Sequence, residues 1–473
     1  MRHPAAIVTY VLCLILSATH ISAIKIGDRA IQSKLANSTN EFACTLYKTI
    51  SKSVNGGNIF LSPASISTAL AMVYFGARGE TRIQMTSVMR LDIYDSSGEL
   101  SLKTDFKKLL ETLSNPQNNY TMYIANRLFG QEGYSFTAEF LQDTEAYFMA
   151  SLEALDFRNN PSSSRLHINE WVAQQTSDKI KDLLPDGSIT VLTRLVLVNA
   201  IYFKGLWSNP FDNLATKPET FYLSASQTTQ IDMMHLGKKR LNYYNSTELG
   251  CQVVELPYIG GQSSMFILLP HDIDSLSFVE NRLGADSLEK MFSGFKSVDV
   301  RVSLPKFNIE QGVALDEFLK AIGMLDLFDA SKADLSGMDG TKHLFVSAVI
   351  HRAFVEVNEK GTEAAGATAV IIGRRISLSK VIHFNADRPF LFLIADTKTG
   401  SVLFLGRLTK PQKQGIKNSI GFPGKVAEQR CCGSGFTNSS STSIQFFFRP
   451  VQLVQGLWIA SIATTLPFFF MHV

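Results

Sequence analysis

Large apolar residues recur at every fourth position in Phe42-Ala43-Cys44-Thr45-Leu46-Tyr47-Lys48-Thr49-Ile50, which places Phe42, Leu46 and Ile50 on one helix face. Most of the stretch from Ala36 to Arg90 has this character. A second helix opens at Ser62-Pro63, because a serine hydroxyl caps free amides and proline fits a first turn. It continues through Ile66, Ala69, Leu70 and Val73 toward Gly76. Phe106 to Leu113, Ala138 to Met149 and Ile168 to Leu184 also carry a helical period, and Pro185-Asp186-Gly187 closes the last. Met122 to Leu128 is expected to be a strand. Beyond residue 190 strands take over. Leu195 to Phe203 is a nearly unbroken apolar run, the pattern of a strand buried on both faces. Gln252 to Leu256 and Ser264 to Leu269 flank Tyr258-Ile259-Gly260-Gly261, a hairpin signal. Val298 to Leu304, His351 to Val357, Phe390 to Asp396 and Val402 to Leu408 complete the strands. Helices early and strands late indicate an α+β fold. No repeat or linker interrupts residues 24 to 410, so they form one domain.

Composition narrows the class. The 473 residues are 45% hydrophobic, enough for a large core. With 45 basic and 42 acidic residues the net charge is +3, which does not suit a nucleic-acid binder or a disordered chain. Arg2 and His3 precede an apolar run from Ala5 to Leu16 and small residues Ser17, Ala18, Ser22 and Ala23. That reads as a signal peptide over residues 1–23, too short to span a bilayer, and implies a secreted, extracellular protein. Sequons at Asn37, Asn119, Asn245 and Asn438 agree with secretion, and Asn37, Asn119 and Asn245 are the expected glycosylation positions. Cys44 and Cys251 are the body's two cysteines and read as buried free thiols, since no spacing indicates a disulfide framework or a zinc site. Gly-x-Ser-x-Gly, His-Glu-x-x-His, Walker and Gly-x-Gly-x-x-Gly motifs are absent, and the nine histidines are scattered. No enzyme and no metal site is expected.

One segment stands apart. Residues 359 to 380 read Glu-Lys-Gly-Thr-Glu-Ala-Ala-Gly-Ala-Thr-Ala-Val-Ile-Ile-Gly-Arg-Arg-Ile-Ser-Leu-Ser-Lys. Small, uncharged side chains such as Ala364, Ala365, Gly366 and Ala367 fit between two strands whose faces are both buried, where bulky or charged ones do not. The residues alone equally allow a solvent loop with a chance pair of arginines.

The segment resembles the hinge and reactive-centre loop of the serpin family, and further motifs match in family order along residues 36 to 410. These are Asn58-Ile59-Phe60-Leu61-Ser62-Pro63-Ala64-Ser65, Phe75-Gly76-Ala77-Arg78-Gly79-Glu80-Thr81, and Val198-Asn199-Ala200-Ile201-Tyr202-Phe203-Lys204-Gly205-Leu206-Trp207. Leu304-Pro305-Lys306-Phe307 and Phe384-Asn385-Ala386-Asp387-Arg388-Pro389-Phe390 match late signatures. The general style of the chain resembles secreted serpins of arthropods, ticks included.

The resemblance implies three β-sheets, eight or nine helices and an exposed loop. It implies a monomeric suicide inhibitor that forms a covalent complex with a serine protease, then inserts its cut loop into the central sheet. The hinge comprises Gly361, Thr362, Glu363, Ala364, Ala365, Gly366 and Ala367. By the family's usual hinge length the cut falls between Arg375 and Ile376, with Arg374 as the alternative, and points to trypsin-like proteases. A non-inhibitory carrier or cleavable binding protein is the alternative function. Ser62, Ser65, Asn199 and His351 match the family's shutter beneath the sheet, and Trp207, Lys306 and Glu359 its breach. No cofactor is implied, although Lys103, Lys107 and Lys108, or Lys238, Lys239 and Arg240, offer a patch for a heparin-like polyanion. The extension 411–473 ends in a largely apolar run from Val451 to Val473. That run suits a membrane span, a GPI signal or a translated non-coding stretch, and the extension is expected to add nothing to the body.

Overall fold

The computed structural model describes residues 33–54, 56–94, 98–361, 381–411 and 417–421. The chain divides into Met1–Gly424 and Lys425–Val473, and the second unit lies outside the described residues, as do residues 1–23.

In chain order the elements open with helix α1 (Lys34–Ser53), strand β1 (Ile59–Leu61), and helices α2 (Pro63–Gly76), α3 (Gly79–Val88) and α4 (Glu99–Leu113). Next come β2 (Tyr120–Gln131), α5 (Ala138–Phe148), β3 (Leu152–Leu155), α6 (Pro161–Gln175) and β4 (Leu195–Gly205). The strand-rich half holds β5 (Lys217–Ser224), β6 (Gln227–Ser246), β7 (Cys251–Pro257) and β8 (Ser263–Pro270). Helices α7 (Leu276–Arg282) and α8 (Ala285–Gly294) precede β9 (Lys296–Pro305) and β10 (Phe307–Ala314). Helices α9 (Asp316–Ala321) and α10 (Ser336–Asp339) precede β11 (Ala348–Val357), β12 (Ile382–Asn385), β13 (Phe390–Asp396), β14 (Val402–Leu408) and β15 (Lys417–Ile420).

Local chemistry explains several boundaries. Ser62 caps α2 through its side chain, with Pro63 at the first turn, and every residue of that helix is buried. The period over Ile168 to Leu184 predicts a helix, but α6 ends at Gln175. The Thr176 hydroxyl donates to Val172 O at 2.7 Å, and Ser177 and Asp178 turn left-handed at φ 48° and 61°. Asn169 then clamps both the N–H and the C=O of Leu184, at 2.8 and 2.9 Å. Ile180, Leu183 and Leu184 are thus buried from an irregular strap, which packs on Val196, Val198 and Ile350.

Two sheets form the frame. One is six-stranded in the order β15-β10-β11-β4-β2-β3; the other has nine strands along β1-β14-β13-β8-β7-β6-β9-β12, with β5 paired to β6. Three sheets were expected. The register shift between Leu236 and Lys239 bends β6 without ending its ladder to β9, so two layers share one hydrogen-bonded path. Ten α-helices surround the sheets among the described residues. Between the sheets, Phe60 stacks on Phe404 at 5.3 Å and on Phe392 at 5.7 Å.

β15 departs from expectation. It lies within the extension that was to add nothing, yet it pairs in parallel with β10, from Glu310↔Lys417 to Val313↔Ile420. Cys44 and Cys251 are both buried and unpaired, and burial pushes each thiol up to about 12. Among the described residues no helix is long and apolar enough to cross a membrane.

Candidate functional site

The middle of the six-stranded sheet is a seam. β4 and β11 lie side by side in parallel, from Ala348↔Val196 to Phe354↔Tyr202, while β2 pairs β4 and β10 pairs β11 antiparallel. Leu195 to Phe203 are all buried, as the unbroken apolar run predicts.

Polar side chains cross this seam at mid-height. His351 of β11 is fully buried. Its Nε2 accepts from the Ser62 amide at 3.1 Å, and its Nδ1–H donates to Asn199 Oδ1 at 2.5 Å. Desolvation lowers its pKa to about 3, so the ring is neutral. The Asn199 amide of β4 donates to Ser65 Oγ at 2.5 Å, to Ser65 O at 3.2 Å and to Asn126 Oδ1. Ser62 Oγ donates to Leu403 O of β14 at 2.7 Å. The four residues expected to act together are therefore in contact, and they link both seam strands to the start of α2.

Above them β11 runs on to Gly361, where the backbone turns sharply. Gly361 has φ +138°, and a Cβ there would sit 2.6 Å from Leu206 Cα, so only glycine fits. Trp207 donates from its indole to Asn358 O at 2.9 Å and from its amide to Lys360 O at 3.0 Å, and it stacks on Tyr258 at 4.6 Å. Lys306 pairs with Glu359 at 3.1 Å, and Thr216 Oγ1 donates to the same carboxylate at 2.9 Å. Burial opposes ionisation of Glu359, but its own backbone amide, Lys306 and Thr216 outweigh that and hold its pKa below the usual value.

The sequence reading missed Asn126, Thr216 and Arg352. Asn126 stands opposite Asn199 in register, and its polar side chain inside the run Ile124-Ala125-Asn126 was a usable signal. Arg352, buried on β11, donates to Lys181 O of the strap at 3.0 Å and to Glu310 at 3.1 Å.

Other expected sites lie apart. Thr362, Glu363, Ala364, Ala365, Gly366, Ala367, Arg374, Arg375 and Ile376 fall outside the described residues. Asn37, Asn119 and Asn245 are all exposed. Lys103 is held by Glu99 and Asp143 at 3.0 and 2.7 Å, Lys108 faces Asp105, and Lys238 pairs with Asp299 at 2.8 Å, so both basic patches are partly neutralised.

Residues 37–411 match the family model described as Serpin (serine protease inhibitor). Leukocyte elastase inhibitor A of Rattus norvegicus is 41% identical over 384 residues, 80% of this chain and 100% of that protein. Leukocyte elastase inhibitor of Bos taurus is 43% identical over 385 residues with the same coverage. Uncleaved ovalbumin superposes with a TM-score of 0.72 at 30% identity, covering 80% of this chain and all of that one. Human thyroxine-binding globulin with its ligand does so at 0.74 and 29%, covering 80% of this chain and 99% of that one. These relatives also correct the expected location. The relatives matched by sequence are leukocyte elastase inhibitors and a Serpin B10, serpins of the B type rather than the secreted, glycosylated kind anticipated from the N-terminal run and the sequons. The relatives therefore argue against a secreted, extracellular location.

Proposed function

Because this chain belongs to the serpin family of serine protease inhibitors, we propose that it traps a trypsin-like protease at the Arg375–Ile376 bond. Serpins are not catalysts. They present a bond, and the protease's own serine attacks it.

The observation that carries this reading is the parallel seam and its continuation. β11 passes through Gly361 directly into the segment that holds Arg375, and the sequence returns to described structure at β12. In a parallel pair flanked by antiparallel ones, a strand entering between β4 and β11 can run antiparallel to both. A segment turning back at Gly361 has that direction. Once the bond to Ile376 breaks, the part from Thr362 to Arg375 is free to enter. Its small residues suit a slot buried on both faces. An acyl-enzyme attached at Arg375 is then drawn along the sheet and its oxyanion hole distorted, so deacylation stalls. No cofactor enters this scheme.

Arg375 fits a specificity pocket with a carboxylate at its base. A second reading rests on the names of the relatives: an elastase has a small apolar pocket, for which Val370, Ile371 or Ile372 is the better fit. Incubating the chain with trypsin and, separately, with a leukocyte elastase decides between them on denaturing gels. A stable trypsin complex with a released fragment beginning at Ile376 supports Arg375. A fragment beginning at Arg375 moves the cut to Arg374. An elastase complex with a fragment beginning at or before Gly373 supports the second reading. Cleavage without any stable complex means a non-inhibitory member of the family.

A further inference from the structure

The outer flank of β10 is a long strand edge, and this chain covers Glu310–Val313 of it with its own extension. Four consecutive pairs join Glu310–Val313 to Lys417–Ile420 in parallel. Ile420 packs on the cluster that contains Val313, Leu315 and Phe318. Gly421 then leaves the edge at φ +79°, where a Cβ would lie 2.7 Å from Ala314 O, so the exit requires glycine. The second half of β10, Gln311 to Ala314, is fully buried. The family match ends at residue 411, before this strand begins. An uncovered edge of such length is a template for another chain's strand.

We propose that residues 417–421 are an intramolecular edge strand that occupies β10 and prevents that edge from accepting a strand of a second copy of this chain. The segment competes by proximity, because it follows β14 by only a few residues and is always present at high local concentration. This role is independent of the inhibitory reading, since β10 borders β11 on the side away from the seam.

Four proteins test it: the full chain, the full chain with Gly421→Val, a chain ending at Pro411 and a chain ending at Gly424. The readouts are hydrogen exchange of the amides in 309–314 and light scattering over a concentration series after gentle warming. The Gly421→Val chain and the chain ending at Pro411 are expected to exchange at least about tenfold faster across 309–314 and to self-associate. The chain ending at Gly424 should behave as the full chain does. A synthetic peptide of residues 412–424 should restore protection to the chain ending at Pro411. Equal protection in all four proteins overturns the proposal. So does faster exchange with every variant still monomeric, and so does association of the chain ending at Gly424, which would assign the effect to residues 425–473.

Discussion

β13 and β14 lie deep in the nine-stranded sheet and β4 and β11 deep in the six-stranded one, yet different chemistry joins each pair. β13 and β14 are antiparallel and wholly buried, and their aromatic rings interlock, with Phe392 near Phe60, Phe307 and Phe390. β4 and β11 are parallel, and where they meet the packing is interrupted by Asn199 and His351. Close-packed rings of the first kind leave a cavity when they are parted. A hydrogen bond is worth only about 0.5–1.5 kcal/mol net and can be exchanged for another. On the proposed mechanism, the contrast separates a sheet built to stay from one that parts along a line and pairs again.

The largest effect is expected where the seam is denied the strand proposed to enter it. Thr362→Arg places a long charged side chain in the segment that must enter, and such a group is costly to bury. Trypsin should still cut the variant, but the stable complex should vanish from gels; a complex of unchanged yield would refute insertion at β4–β11. Next in size is the static sheet. Phe392→Ala should cost about 3–5 kcal/mol in a denaturation series, because the buried ring leaves a cavity. Asn199→Ala, which strands the His351 donor, should cost about 1–3 kcal/mol. If Asn199→Ala costs more than Phe392→Ala, the seam is not the weaker joint.

A pH series sharpens the point. His351 has a native pKa of about 3 against an ordinary value of 6.5, so between those values the unfolded chain binds more protons than the native one. Native stability should therefore fall as pH drops from 6.5 toward 3, by at most about 1.4 kcal/mol per unit from this residue. His351→Gln keeps one donor and one acceptor and should flatten that part of the profile. The smallest effect is expected at the top of the seam. Lys306 is 40% exposed, so Lys306→Ala should cost about 0.2–1 kcal/mol, less in high salt.

Much of this contrast was legible in the sequence. The unbroken run Leu195 to Phe203, the cap Ser62-Pro63 and the hairpin around Gly260-Gly261 follow from short-range rules, and each element stands where expected. The paired hairpin β5–β6 did not show, because Gln227–Ser246 alternates too weakly across a surface that is largely exposed. The end of α6 was misplaced because Ile180, Leu183 and Leu184 keep a helical period while serving a strap. The site was only partly visible. His351 meets Asn199 across 152 positions and Ser62 across 289, so no local window holds the network. Asn126 stood out as a polar residue in an apolar run, but its partner Asn199, like the role of Arg352, needed register, which periodicity does not supply.

β12, β13 and β14 all follow the proposed Arg375–Ile376 bond in the chain, and β13 and β14 are wedged between β1 and β8. A cut at Arg375 therefore produces two polypeptides without producing two particles. The C-terminal piece remains threaded through the static sheet, held by ladders on both flanks. The nicked molecule is an interlocked heterodimer of its own halves, and neither piece can be rinsed away without unfolding the other.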